Sequence, residues 1–364
     1  MAGEIKTTGT IAGLVNVFEL YADTAKQADL EALLTAGAQQ HPLGLAASFL
    51  EKDIWVTEIL RLLYNEDLLG GLTVAFKGGT ALSKCWRAIG RFSEDIDLSI
   101  HWADLADAED EEEAWLATTA TNSQLKKFRD KQSKRLIRWS TDFVNRLNQR
   151  LNVFAINRLK AKLIETSKGE QITISFPRVA VGENPYQLDY LLLEFGGRNR
   201  GRPTQPMPIT CYLAEIPQLK DIAFPTATVN AYDLDYILWE KLTALHQFST
   251  QTKRLAAHRI ARHWYDVDCL LNEKQIDPLA NRQAMLDVIT MKSARWAVPG
   301  VDYQAILQGK LVLVPEGDAL TGLKADHQEA VRGGMFFETP DEFEEIVRRL
   351  KTAEEKINDV GVAG

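Results

Sequence analysis

The sequence predicts an α/β (α+β) protein: a mixed sheet flanked by helices, followed by a helical C-terminal domain. Short apolar stretches of strand character recur between residues 72 and 216, as LTVAF, DIDLSIHW, ITISF, YQLDYLLLEF and ITCYLAEI. Ahead of them, AASFLEKDIWVTEILRLL (46–63) spaces Leu50, Ile54, Ile59 and Leu63 as an amphipathic helix does. From about residue 230 the pattern stays helical, through DLDYILWEKLTAL, KRLAAHRIARHWYDVDCLL and FEEIVRRLKTAEEKI. The implied organisation is a helical lead-in over 1–45, an α/β domain over 46–225 and a helical domain over 226–364, with no internal repeat.

The first strand, LTVAF (72–76), is broken by Lys77-Gly78-Gly79. Thr80 is the expected N-cap of a helix ALSKCWRAI that Gly90 ends, and DIDLSIHW resumes the strand pattern. Residues 103–115 are strongly acidic, whereas 126–138 (KKFRDKQSKRLIR) carry seven basic residues against Asp130. This segment reads either as the exposed face of a long helix or as a ridge for RNA phosphates. The loop GGRNRGRPTQPMP, with Arg198, Arg200 and Arg202, is a second place for such a contact.

With 364 residues, 45% hydrophobic and 25% charged, the chain can bury a sizeable core. Its net charge of −8 lacks the footprint of a nucleic-acid binder, so contacts with nucleic acid must be local. Cys85, Cys211 and Cys269 form no CxxC pair, which argues against a zinc ribbon or disulfide framework and suits a reducing cytosol. No apolar run approaches the roughly 18 residues of a membrane span. A cytoplasmic protein with no membrane partner is expected.

The chemistry concentrates in KGGTALSKCWRAIGRFSEDIDLSI (77–100). On a strand, residues i and i+2 share a face, so Asp95 and Asp97 project together while Ile96 and Leu98 face the core. Two such carboxylates repel unless a cation joins them or one takes a proton. A divalent metal, Mg²⁺ or Mn²⁺, is the expected remedy, and paired surface aspartates are the alternative. Glu194, in the otherwise apolar LLLEF, is the candidate third carboxylate, whereas Asp189 has the opposite strand parity. Gly78, Gly79 and Thr80 let a backbone approach a phosphate, with Lys77 and Arg91 as nearby positive charge. Asp233 and Asp235 share the DxD spacing but sit in a helical period, and read as helix N-terminal charges.

These stretches together resemble the AbiEii/AbiGii-type abortive-infection toxins, a branch of the DNA polymerase beta-like nucleotidyltransferase superfamily. The resemblance rests on FLEKDIWVTEIL, KGGTAL with RFSEDIDL, LWEKLTAL and ARHWYDVDCL, in that order, and extends over roughly residues 40–358. It implies a nucleotidyltransferase-type fold in which Asp95 and Asp97 hold the metal and Gly79, Thr80 and Ser93 line the triphosphate pocket. It further implies that Lys241 reaches the nucleotide phosphates and that Asp266 completes the site. His263 stands where relatives often carry an aspartate.

Read without the family, Lys241 is equally an exposed helix residue, and Arg262 with Asp266 an ordinary i,i+4 surface pair. His258 and His263, five apart, read as non-ligands, and Trp86, Trp139 and Trp264 as core or interface anchors rather than base-stacking platforms. The expected reaction is Mg²⁺-dependent transfer of a nucleoside monophosphate from a nucleoside triphosphate to a hydroxyl. The family implies RNA, with the tRNA 3′ end leading, as acceptor, a block on translation, a role in phage defence and a cognate antitoxin. The rivals are a GTP-binding toxin without transfer and a transferase or kinase acting on a protein hydroxyl.

Overall fold

A computed structural model describes residues 14–106, 121–180, 186–198, 200–253, 258–296 and 298–361. Residues 107–115 of the acidic segment lie outside them. Two helices, α1 (Val17–Ala22) and α2 (Gln27–Gln40), lead into α3 (Ala47–Asn65). The expected amphipathic stripe on α3 is corrected: Phe49 to Leu60 is buried without interruption, including Glu51, Lys52 and Asp53. A helix buried all round must satisfy its charges internally. Glu51 accepts from the Val179 and Ala180 amides, Lys52 pairs with Glu94, and Asp53 pairs with Lys84 and accepts from the Tyr212 amide.

The sheet has seven strands among the described residues: β1 (Val74–Lys77), β2 (Ile96–Ile100), β3 (Lys160–Leu163), β4 (Gln171–Ser175), β5 (Leu191–Gly196), β6 (Thr204–Thr210) and β7 (Thr226–Tyr232). Their order is β3-β4-β5-β2-β1-β7-β6. Parallel pairs β2–β5 and β1–β7 combine with antiparallel pairs β1–β2, β3–β4, β4–β5 and β6–β7, so the sheet is mixed as expected. The middle strand β2 buries Ile96 and Leu98 completely.

Several boundaries differ from the sequence reading. The strand expected over 186–195 begins only at Leu191, so Asp189 lies outside it, exposed and paired with Arg178. The strand expected at 209–216 occupies 204–210 instead, and Tyr212–Glu215 is a 3₁₀ turn. Strand β6 contains Pro206 and Pro208, and it is an edge, where a missing donor is tolerated. Strands β3 and β7 had no counterpart in the expectation.

The helix after β1, α4 (Gly78–Lys84), is one turn earlier and shorter than expected. Lys77 is its N-cap, and Thr80 lies within it. The basic segment 126–138 lies on α5 (Asn122–Asn152), started by a capping box of Thr121 and Gln124. Then follow α6 (Leu234–Thr250), α7 (Arg262–Asp268), α8 (Arg282–Arg295), α9 (Asp318–Arg332) and α10 (Phe343–Gly361). Asp233 caps α6 by accepting from the Asp235 amide, the helix-terminal role expected for that pair. Among the described residues no helix is long and apolar enough to cross a membrane.

Candidate active site

Sheet register assembles the first half of the site. On three neighbouring strands, Asp97 of β2 pairs in register with Lys77 of β1 on one side and Glu194 of β5 on the other. Gln171 of β4, opposite Glu194, donates to its Oε1 at 2.6 Å. Asp95 sits one residue ahead of β2 and is 7% exposed. Its Oδ2 accepts from Arg262 at 2.8 Å, while its buried Oδ1 has no hydrogen-bond partner.

The two aspartates titrate in opposite directions. Burial pushes the Asp97 carboxyl up, and the neighbouring Glu194 and Asp95 charges raise it further, to about 7. Burial also pushes Asp95 up, but Arg262 and Arg259 outweigh it and hold the carboxyl below its ordinary value. Gly78 separates Asp97 from the helix. Its φ is +73°, and a Cβ there would fall 1.8 Å from Asp97 Oδ2. Gly78→Ala is therefore expected to displace the Asp97 carboxylate and to destabilise the fold by about 1–3 kcal/mol through backbone strain alone, read by a thermal melt.

Thr80 and Ser93 tie helix to loop. The Thr80 hydroxyl meets the Asp95 carbonyl and, at 3.0 Å, Ser93 Oγ. Gly79 is held close beneath them, since a Cβ there would lie 2.6 Å from Arg91 Nη2 and 2.7 Å from Ser93 Oγ. This packing fixes the segment that carries Asp95.

The second half comes from α6 and α7. Asp266, fully buried, accepts from Arg91 Nε and Nη2 and from Lys241 Nζ, each at 2.7 Å. Burial alone would raise its carboxyl; the two cations reverse this and hold it far below its ordinary value. Both bland alternatives are overturned here. Lys241 is 6% exposed rather than a surface residue, and Asp266 pairs with Arg91 and Lys241 while Arg262 turns to Asp95. Lys77 pairs with Glu240 of α6 at 2.6 Å. His263 is half-buried, and desolvation, Lys241 and Arg262 push its pKa well below the ordinary value. Trp264 is fully buried with its Nε1 on the Leu313 carbonyl, and Trp139 stacks on Phe143.

Sequence reasoning missed a buried layer behind Asp95. Glu94, fully buried, binds Lys52 of α3 at 2.6 Å and also Arg259, whose φ is +61°. Asp326 of α9 fixes this turn by accepting from the Arg259 amide at 2.6 Å and the Ala261 amide at 2.7 Å. The signal was present: three consecutive charges, Glu51-Lys52-Asp53, interrupt an apolar helix.

Among the described residues no group of three or more His, Cys, Asp or Glu side chains is gathered closely enough to hold a metal ion. The donor set nevertheless fits a divalent cation. Asp95 Oδ1 is a buried acceptor without a partner, and Asp97 and Glu194 are adjacent carboxylates with the oxygen chemistry Mg²⁺ prefers.

A mixed sheet with carboxylates on adjacent strands, beside a Gly-Gly helix start and buried cations, is the arrangement of a phosphate-handling enzyme. The profile of the family described as "Nucleotidyl transferase AbiEii toxin, Type IV TA system" matches residues 61–349. The chain belongs to that family. It is also similar in structure to MenT4, a nucleotidyltransferase toxin from Mycobacterium tuberculosis H37Rv. Sequence identity there is 17%, over 90% of this chain and 98% of that one, with a TM-score of 0.44. No curated protein sequence matches the chain.

Proposed function

We propose that this toxin-family nucleotidyltransferase moves a nucleoside monophosphate from a nucleoside triphosphate onto an RNA hydroxyl, the tRNA 3′ end being the leading acceptor, in a Mg²⁺- or Mn²⁺-dependent reaction. The observation that carries this reading is the register of Lys77, Asp97 and Glu194 across three adjacent strands, with Asp95 beside them. Asp95, Asp97 and Glu194 would hold the cation. When bound, it supplies the positive charge that offsets the triphosphate and polarises the α-phosphorus.

The chain's own residues then position the nucleotide. An ammonium has three donors, and Asp266 takes one from Lys241, so the others are directed to the phosphates. Arg91, clamped at two nitrogens by Asp266, serves as fixed positive charge behind Gly79. Lys77, Gly78, Gly79, Thr80 and Ser93 form the wall nearest the phosphates. The helical unit 226–364 closes the site opened by 46–225, with 1–45 as a lead-in; the two share the sheet, because β7 follows residue 225. Acting in the cytoplasm with a cognate antitoxin as its partner, the enzyme would block translation and so contribute to phage defence.

The test is incubation of the protein with Mg²⁺, each α-labelled nucleoside triphosphate in turn, and total RNA. Label entering RNA is the expected result. Label entering protein instead would transfer the reading to a protein hydroxyl, and no covalent label anywhere would leave a nucleotide-binding toxin.

A further inference from the structure

Of the three arginines expected to meet RNA on the loop after β5, two are committed within the protein. Arg200 pairs with Asp287 at 3.1 Å, and Arg198 pairs with Glu170 at 2.8 Å. Arg198, however, also lies over the half-buried ring of Trp296, 4.9 Å from its centroid. Lys292, one turn earlier on α8, stands 4.7 Å from the same ring. An aromatic surface carrying two cations is suited to a nucleobase and its flanking phosphate.

This ring is tied to the site. Lys292 is within electrostatic reach of Lys77, Glu240 and Arg198, and Lys77 is the register neighbour of Asp97. Glu170, the partner of Arg198, precedes the Gln171 that holds Glu194. The end of α8 that leads into Trp296 meets the basic helix, because Arg129 of α5 donates to the Ala294 carbonyl of α8 at 3.3 Å. Lys126, Lys127, Lys134 and Arg138 are exposed on α5, and Lys127 to Arg138 spans roughly 16 Å along the helix. Burial, against the opposing pull of Glu240, lowers Lys292 to about 8 together with the like charges of Lys77 and Arg198, a repulsion that a phosphate would relieve.

We propose that Trp296, Lys292 and Arg198, continued by Lys126 and Lys127, form the strip that holds a single-stranded RNA acceptor beside the carboxylates. Trp296 stacks a base near the reactive end, and the lysines take the backbone phosphates. A single strand is required because the terminal hydroxyl must leave any duplex to reach Asp97. This inference rests on the transfer reading above and adds where its acceptor lies.

The test uses the full chain carrying Asp97→Asn, so that nothing turns over, and the fluorescence anisotropy of a short labelled single-stranded RNA with a free 3′ hydroxyl. Adding Trp296→Ala is expected to weaken binding about tenfold, as loss of one stacked base does, whereas Trp296→Phe stays within about threefold of the parent. Lys292→Gln is expected to lower the slope of log affinity against log salt by about 0.7, the loss of one phosphate contact to a single strand. Unchanged affinity in Trp296→Ala and an unchanged slope in Lys292→Gln would overturn the strip. A parent protein that binds no RNA would overturn it as well. The labelling experiment would then decide separately whether nucleotide is transferred to another acceptor.

Discussion

Replacing Asp266 by alanine is expected to destabilise the protein by about 3–5 kcal/mol, because Arg91 and Lys241 would be left buried without their counter-ion. Arg91 is 2% exposed and Asp266 fully buried, so water cannot take over. The clamp joins the Gly-Gly segment to α6 and α7, and its loss separates the two halves of the site. Chemical denaturation checks the stability, and the midpoint should fall in proportion. The sign of the pH dependence follows from the shift. Asp266 is held below its ordinary value, so its stabilisation is full at neutral pH and is lost only as pH falls through the folded-state value. Equal stability of Asp266→Ala and the parent at pH 7 would show that the clamp contributes nothing.

Asp97→Asn is expected to do the opposite, abolishing transfer while stabilising the fold. Loss of a metal-binding carboxylate should lower the rate roughly a thousandfold, equivalent to about 4 kcal/mol of charge stabilisation. Stability should change as follows. The folded carboxyl is raised from 3.8 to about 7, so the unfolded chain gives up its proton first as pH rises. Stability from this group is therefore lost progressively between pH 4 and 7, and the full penalty persists above. The melting temperature of Asp97→Asn should exceed the parent's by a few degrees at pH 8 and match it near pH 4. A difference independent of pH would assign the change to something other than the Asp97 charge.

Much of the fold was legible because its signals are local. The strand at LTVAF, the helix that follows it and the long basic helix are each written in contiguous residues, and Asp233 is recognisable as a cap from the helical period that follows it. Register made Glu194 legible in a different way, as a lone carboxylate in an apolar strand, and the sheet places it beside Asp97. The edge strand β6 was hidden by Pro206 and Pro208, since only the sheet order reveals which side needs no donor. Long-range ion pairs were hidden too. Arg262 has an acid four residues on, yet pairs with Asp95 across 167 positions, and Asp266 reaches back 175 to Arg91. Burial decides between such partners, and one sequence does not show which helix face will be covered.

Asp95, Asp97 and Glu194 are proposed as the metal-dependent centre. Calorimetric titration of Mn²⁺ with a nonhydrolysable nucleoside triphosphate tests it most directly, in the parent and in the Asp97→Asn, Glu194→Gln double variant. Saturable, cooperative binding of metal and nucleotide is expected in the parent and its loss in the double variant, with both proteins folded. Equal metal binding by the two would contradict it and move the centre away from these strands.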